Sequence, residues 1–104
     1  MAVIDLSSQN SFPFAKTTTS VGTTQQAITL PSAARRVTVG GETAAIYLVV
    51  SGVSDGAAVP ANRVAVPADQ MFELNLPQGN QQRITEIAIA AQASTATITV
   101  VIEA

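Results

Sequence analysis

The side chains that perform most covalent catalysis in proteins are missing from this sequence. The chain contains no histidine and no cysteine, so neither a Ser-His-Asp nor a Cys-His arrangement can be built. A zinc site made of the usual imidazole and thiolate ligands is excluded for the same reason. Without cysteine there are also no disulfide bonds, and the stability of the fold must come from packing.

Carboxylates remain as candidates for acid-base chemistry or for binding a cation. General acid-base catalysis needs such groups at one reacting centre, whereas the acidic residues here are scattered through predicted turns and outward strand positions. Ser54-Asp55-Gly56 offers a single carboxylate, where an EF-hand calcium loop needs several. We therefore interpret the seven acidic residues as surface charges and expect no metal and no cofactor: Asp5, Glu42, Asp55, Asp69, Glu73, Glu86 and Glu103.

Basic residues and glycines also lack a pattern that would bind phosphate. Lys16 is the only lysine and stands at an exposed strand start, where a Schiff base is not expected. Neither GxGxxG nor GxxxxGK occurs. Arg35 and Arg36 are the only adjacent basic pair, in a chain whose isoelectric point is near 4.7. Binding to nucleic acid depends on clustered positive charge, so the sequence predicts neither an enzyme nor a nucleic-acid-binding protein.

The aromatic residues are better suited to contacts than to ligand stacking. Four of them are spread over the chain, too few for a platform that binds bases or sugars. Phe12 and Phe14 flank Pro13. They either pin the N-terminal segment to its own domain or reach a neighbouring subunit, and we favour the first alternative. Tyr47 points away from Ile46 and Leu48, either to a partner or as a half-buried residue of the outer face. The candidate interface residues are Phe12, Phe14, Tyr47 and Val49.

Composition indicates that part of the surface is covered by a partner. Apolar residues form 47 % of the chain and charged residues 12 %, about half the charged fraction that is usual in a soluble domain. A neutral surface of Thr, Ser, Gln and Ala is the alternative explanation. The longest apolar run, residues 44–50, is far shorter than the roughly 20 residues of a membrane-spanning helix. The first positive charge is Lys16, so a secretory signal is not expected either.

Alternation of apolar and polar residues is the dominant pattern and predicts β-strands. It is clearest at 96–103 and recurs at 86–91, 71–76, 64–66, 46–50, 37–39, 27–30 and 17–21. The four residues 92–95 are short enough to close a hairpin between the last two strands. Residues 37–39 are expected to pair with 46–50 through Gly40-Gly41-Glu42, and Pro77-Gln78-Gly79-Asn80 predicts a turn. Proline on both sides makes 64–66 a short strand suited to a sheet edge.

These strands predict an all-β fold with one core. Seven to nine short strands with frequent turns are typical of an antiparallel β-sandwich or a small barrel. We expect a sandwich of jelly-roll or immunoglobulin-like type over residues 17–104, preceded by a short irregular N-terminal arm at residues 1–16. Residues 51–62, which contain Gly52, Gly56 and Pro60, are the longest flexible candidate.

Two stretches resemble small virion proteins of tailed phages. One combines Val21-Gly22-Thr23-Thr24, Ile28-Thr29-Leu30-Pro31 and Ala34-Arg35-Arg36-Val37-Thr38-Val39, and the other is the ending 96–103, ATITVVIE. The resemblance spans roughly residues 17–104 and rests on strand composition and turn spacing, with no reactive residue to carry over. It implies a head decoration (cement) protein or a related structural protein, made in the host cytoplasm and located in the virion.

The expected function is therefore that of a structural virion protein, which stabilises a capsid by binding its assembled surface. The resemblance and the low charge imply a homo-oligomer, with a trimer favoured, and the major capsid protein or another virion protein as partner. The sequence predicts no nucleic-acid partner and no membrane. The alternative is a receptor- or carbohydrate-binding module of a phage tail or fibre, which differs in needing an exposed aromatic ligand site.

Overall fold

A computed structural model describes residues 3–76 and 84–104 of the chain. These residues form nine β-strands and no helix. The predicted turn at Pro77-Gln78-Gly79-Asn80 lies outside the described residues, as do residues 1–2 of the predicted arm. In chain order the strands are β1 (Ile4–Asp5), β2 (Phe14–Val21), β3 (Gln26–Thr29), β4 (Arg36–Glu42), β5 (Ile46–Val49), β6 (Val64–Val66), β7 (Met71–Asn75), β8 (Glu86–Ala91) and β9 (Ala96–Glu103).

The strands are arranged in two sheets that confirm the predicted sandwich. The five-stranded sheet has the order β1-β3-β8-β5-β6, and the four-stranded sheet has the order β2-β9-β4-β7. All neighbours are antiparallel except β1 and β3. β6 is an edge strand, as its flanking prolines predict.

The strand order is that of a jelly roll. β2 pairs with β9, β3 with β8, β4 with β7 and β5 with β6, so the chain forms one long antiparallel ribbon that turns back between β5 and β6. The ribbon is rolled up so that β4 also contacts β9 and β5 also contacts β8. Of the two sandwich types expected from the sequence, the jelly roll is therefore the one formed.

Two predicted strand pairings are wrong because of this rolling. β8 and β9 do not form a hairpin through 92–95, since they belong to different sheets, and β4 and β5 are separated in the same way. Each of these short connections crosses from one sheet to the other. A short turn shows that two strands are close in space, but it does not require them to be hydrogen-bonded neighbours.

The core lies between the sheets and is made by the apolar set of each alternating strand. In β9, four alternate side chains are buried while those between them are half-buried. The buried cluster is almost entirely aliphatic, and its largest fully buried members are Ile28, Ile46, Leu48, Ile87, Ile89, Ile98 and Ile102. Branched aliphatic side chains favour strands and interlock well across facing sheets.

The N-terminal segment is part of this sandwich. Ile4 and Leu6 are buried in the core, and the Leu6 N–H donates to the Thr29 carbonyl. β2 begins at Phe14, three residues before the predicted strand start, so the predicted boundary between residues 16 and 17 falls within a strand. The segment is therefore held against its own domain, the alternative that the sequence favoured.

The long connection between β5 and β6, residues 50–63, covers the outer face of the five-stranded sheet. It is hydrogen-bonded at Ser54, Gly56, Ala57 and Ala58 to Gln25, just before β3. Since β8 lies between β5 and β3, the connection must pass across the face of β8. The residues beneath it are buried although they point away from the main core: Ala27, Val49, Ala88 and Ala90.

Candidate assembly surface

The acidic residues are dispersed over the surface of the described part of the molecule. No group of three or more potential metal-ligating side chains is found among the described residues. Asp55 and Asp69 instead accept hydrogen bonds from backbone N–H groups, of Ala27 at 2.9 Å and of Thr43 at 2.9 Å. The Asp5 carboxylate accepts two hydrogen bonds from Ser7, which lower its pKa below the usual value. Asp5 therefore stabilises a local turn, while Asp55 and Asp69 hold together segments that are distant in the chain.

Within residues 3–76 and 84–104, the charge cluster with close geometry joins three strands of the four-stranded sheet. Arg36 on β4 binds Glu103 on β9 through two parallel hydrogen bonds of 2.9 and 3.0 Å, and its Nη1 lies 3.6 Å from Glu73 on β7. The hydrogen bond and the negative charge of Glu103, with a smaller effect of Glu73, raise the pKa of Arg36. All three side chains are partly exposed, so this cluster neutralises charge on the outer surface without creating a reactive group.

Tyr47 and Val49 lie on the outer face of the five-stranded sheet, and neither is a free contact residue. Val49 is fully buried, with an exposed fraction of 0 %, so its proposed place in an interface is wrong for this conformation. Val49 points away from the main core, and it is buried because the 50–63 connection covers it. Tyr47 is half-buried, and the guanidinium of Arg63 lies over its ring at 4.2 Å from the centroid, in cation–π geometry.

Phe12 and Phe14 are half-buried and pack against the main core. The Phe12–Pro13 peptide bond between them is cis. Phe14 begins β2 and stands opposite Ile102 of β9. The two rings thus contact their own domain, and the structure does not bring them together with Tyr47, which belongs to the other sheet.

Among the described residues, the outer face of the four-stranded sheet is not covered by another part of the chain. Its side chains are half-buried or exposed, and the strand registers arrange them in rows, such as Ala15, Val101 and Thr38, or Thr17 and Thr99. Uncharged small side chains dominate these rows, while the Arg36 cluster occupies one end. We call this surface the threonine face and define it by Ala15, Thr17, Thr38, Thr97, Thr99 and Val101.

A shallow hollow of about 220 Å³ adjoins the threonine face, lined by Gly40, Gly41, Glu42, Asp69, Met71 and Thr99. Two successive glycines of β4 form part of its wall, and at both positions a Cβ would collide with neighbouring atoms, including the Met71 side chain at Gly40. Met71 has an exposed fraction of 51 %, unusual for so large an apolar side chain. The hollow is open, and its lining combines two carboxylates with glycine and methionine, so it extends a contact surface and does not resemble an enclosed ligand site.

Sequence reasoning missed both the threonine face and Gln25. The alternation of Thr97 and Thr99 with Ile98 and Val100 was visible, but its assembly with β2 and β4 into one face depends on the rolled topology. Gln25 is the only buried polar residue among those described, with an exposed fraction of 2 %. It precedes a short apolar strand, and a glutamine in such a position carries no recognisable signal.

No helix among the described residues is long and apolar enough to cross a membrane. Comparison of the chain with protein-family models, with curated proteins and with solved structures found no match in any of the three.

Proposed function

We propose that this protein is a structural subunit of a virion, which decorates an assembled capsid and stabilises it by binding its surface. The observation that carries the proposal is the threonine face, an open sheet surface of uncharged side chains. At one end of the face Arg36, Glu73 and Glu103 are paired with one another. At the other end Glu42, opposite Thr97, forms no ion pair with the described residues, so the rows between these two ends can be covered with little charge to dehydrate.

The fold and the composition support the same proposal. Jelly rolls occur in capsid proteins and in lectins, although a fold alone does not determine function. The low charged fraction of 12 % fits a surface that becomes buried in an assembly. The proposed partners are the major capsid protein or another virion protein, and further copies of this chain, with a trimer favoured.

Such a subunit acts without chemistry. A protein that binds the assembled shell and not its free subunits shifts the equilibrium toward the shell by mass action. The proposed location is the virion, with synthesis in the host cytoplasm.

A carbohydrate-binding module is less well supported by the arrangement of aromatic residues. Sugar binding commonly uses an aromatic ring with a free face beside convergent polar groups. Arg63 lies over the ring of Tyr47, and Phe12 and Phe14 pack against the core. Because none of these three rings has a free face beside convergent polar groups, we prefer the decoration role to glycan binding.

The test is co-sedimentation of the purified protein with emptied tailed-phage capsid shells, together with light scattering of the free protein. Thr99→Lys places a charge at the centre of the threonine face and is expected to reduce shell binding at least tenfold. Asn62→Lys adds the same charge to an exposed position of the covering connection and should bind like the native chain. Equal binding by both variants, or a native protein that is monomeric and binds no shell, would contradict the proposal.

A further inference from the structure

Among the described strands, β2 presents the longest open edge. It contains eight residues and pairs with β9 on one side only. The other edge strands are shorter, since β7 has five residues, β6 has three and β1 has two. An open edge exposes backbone N–H and C=O groups that can pair with another strand.

Lys16 is the third residue of this strand, and alternation places it on the face of the sheet that points toward the core. It is opposite Val100, which is buried in the core with an exposed fraction of 1 %. Lys16 itself is exposed and forms no ion pair within the described ranges. A charge on the inward side of an edge strand is one of the ways in which proteins prevent unwanted strand pairing.

The position of Lys16 disfavours pairing between two copies of this chain. When two β2 edges meet antiparallel around a two-fold axis normal to the sheet, inward residues must stand opposite inward residues. A bulge between Thr18 and Val21 limits the regular part of the edge to Phe14–Thr18. The register that pairs all five of these residues places Lys16 directly opposite its symmetry mate, and like charges in that position are destabilising.

We propose that the β2 edge is a strand-addition site that accepts an extended acidic segment of a different protein, with Asp or Glu opposite Lys16. The carboxylate would neutralise the one charge that prevents pairing, and the flanking backbone would add hydrogen bonds to the open edge. This inference deepens the proposed function, on which it rests, by naming a contact through which the subunit joins its assembly.

The protein itself provides the probe. In the Lys16→Glu variant the β2 edge becomes an acidic strand of the right length, and each Lys16 of the native chain then meets a Glu. We expect an equimolar mixture to show a higher mass in light scattering than either protein alone, at concentrations where the mass of each separate protein no longer changes. High salt should reverse this gain, because exposed charge pairs are screened.

Three further samples make the result specific for the edge. Native protein mixed with Lys16→Arg, which keeps the positive charge, should show no gain in mass. Lys16→Asp should reproduce the gain and replaces Lys16→Glu if that variant fails to fold by circular dichroism. Native protein mixed with Asn62→Glu, which carries a carboxylate away from β2, should show no gain.

A mixture that has no higher mass than its separate components overturns the inference, and so does a native protein whose own copies pair through β2. Neither outcome involves the threonine face or a capsid shell. Failure of the strand-addition site can therefore be distinguished from failure of the proposed decoration role, which depends on the Thr99→Lys comparison.

Discussion

Gln25 holds the covering connection in place. Its side-chain Nε2 donates to the Ala58 carbonyl and its Oε1 accepts from the Ser54 N–H, both at 3.0 Å. Its backbone groups form two more hydrogen bonds, with Ala57 and Gly56. A buried amide without hydrogen-bond partners is costly. Burial of the Gln25 side chain is therefore favourable only when residues 54–58 are docked against it. The docked connection in turn buries Val49.

We predict that Gln25→Ala lowers the free energy of unfolding by roughly 1–3 kcal/mol, because Ser54 N–H and the Ala58 carbonyl lose their partners. Chemical denaturation measures this change. Gln26→Ala is the control, since the Gln26 side chain forms no hydrogen bond with the described residues, and its effect should be clearly smaller. Equal effects of the two substitutions would show that the Gln25 side chain does not anchor the connection.

Thr18 provides a second residue-level prediction. Its Oγ1 is buried and has no hydrogen-bond partner among the residues that the structure describes. Thr18→Val replaces that hydroxyl by a methyl group of similar size, and we expect the free energy of unfolding to rise by about 1 kcal/mol. The same substitution at the exposed neighbour Thr17 should change stability little, as thermal unfolding can verify. A loss of stability in Thr18→Val would mean that the hydroxyl is satisfied in solution.

At the scale of single elements, alternation in the sequence predicts the strands well. Strands β3 to β9 appear close to their expected positions, because side chains that alternate between core and solvent produce the same pattern in any half-buried strand. β1 was not expected, since two residues are too few to show a period. The missed start of β2 at Phe14 has a related cause, because residues 14–17 at an edge are mostly exposed and do not alternate in burial.

The two glycines of β4 show how an element depends on its neighbours. Gly41 lies where a Cβ would collide with the Ala44 carbonyl oxygen and come within 2.8 Å of Ile46 Cγ2. The chain reverses tightly here before it enters the other sheet. A glycine within a strand commonly marks such a close approach of backbone.

We therefore expect Gly41→Ala to destabilise the fold by about 1–3 kcal/mol, the usual cost of forcing extra volume into a packed site. Gly22→Ala is the matched control, because its Cβ would meet no atom within 4 Å. Urea unfolding of the two variants measures the difference. Similar midpoints for both would indicate that the 43–45 turn shifts to make room for the new methyl group.

At the scale of the whole molecule, the rolled ribbon joins strands that are distant in the chain. β2 pairs with β9 and β3 with β8, so the core is complete only when both ends of the ribbon have come together. Closing such long loops costs chain entropy before the contacts that stabilise them are formed. The topology therefore affects how fast the protein folds as well as which faces remain open.

We expect refolding from denaturant to take milliseconds to seconds, in the range of other all-β domains dominated by non-local pairing. Stopped-flow fluorescence of Tyr47 is the measurement, with far-ultraviolet circular dichroism as an independent probe of the sheets. Refolding within microseconds would contradict the expectation, since that rate belongs to folds made of local contacts.

The sequence alone determined the fold class, most strand positions and the absence of histidine and cysteine chemistry. These properties depend on residue type and on local alternation, and both can be seen along the chain. Tertiary structure alone decided which strands are neighbours, that Val49 is covered by residues 50–63, and that the threonine face and the β2 edge remain open. Every strand offers the same backbone donors and acceptors, so its neighbours are selected only when all the apolar faces are packed together, and that packing is a property of the whole chain.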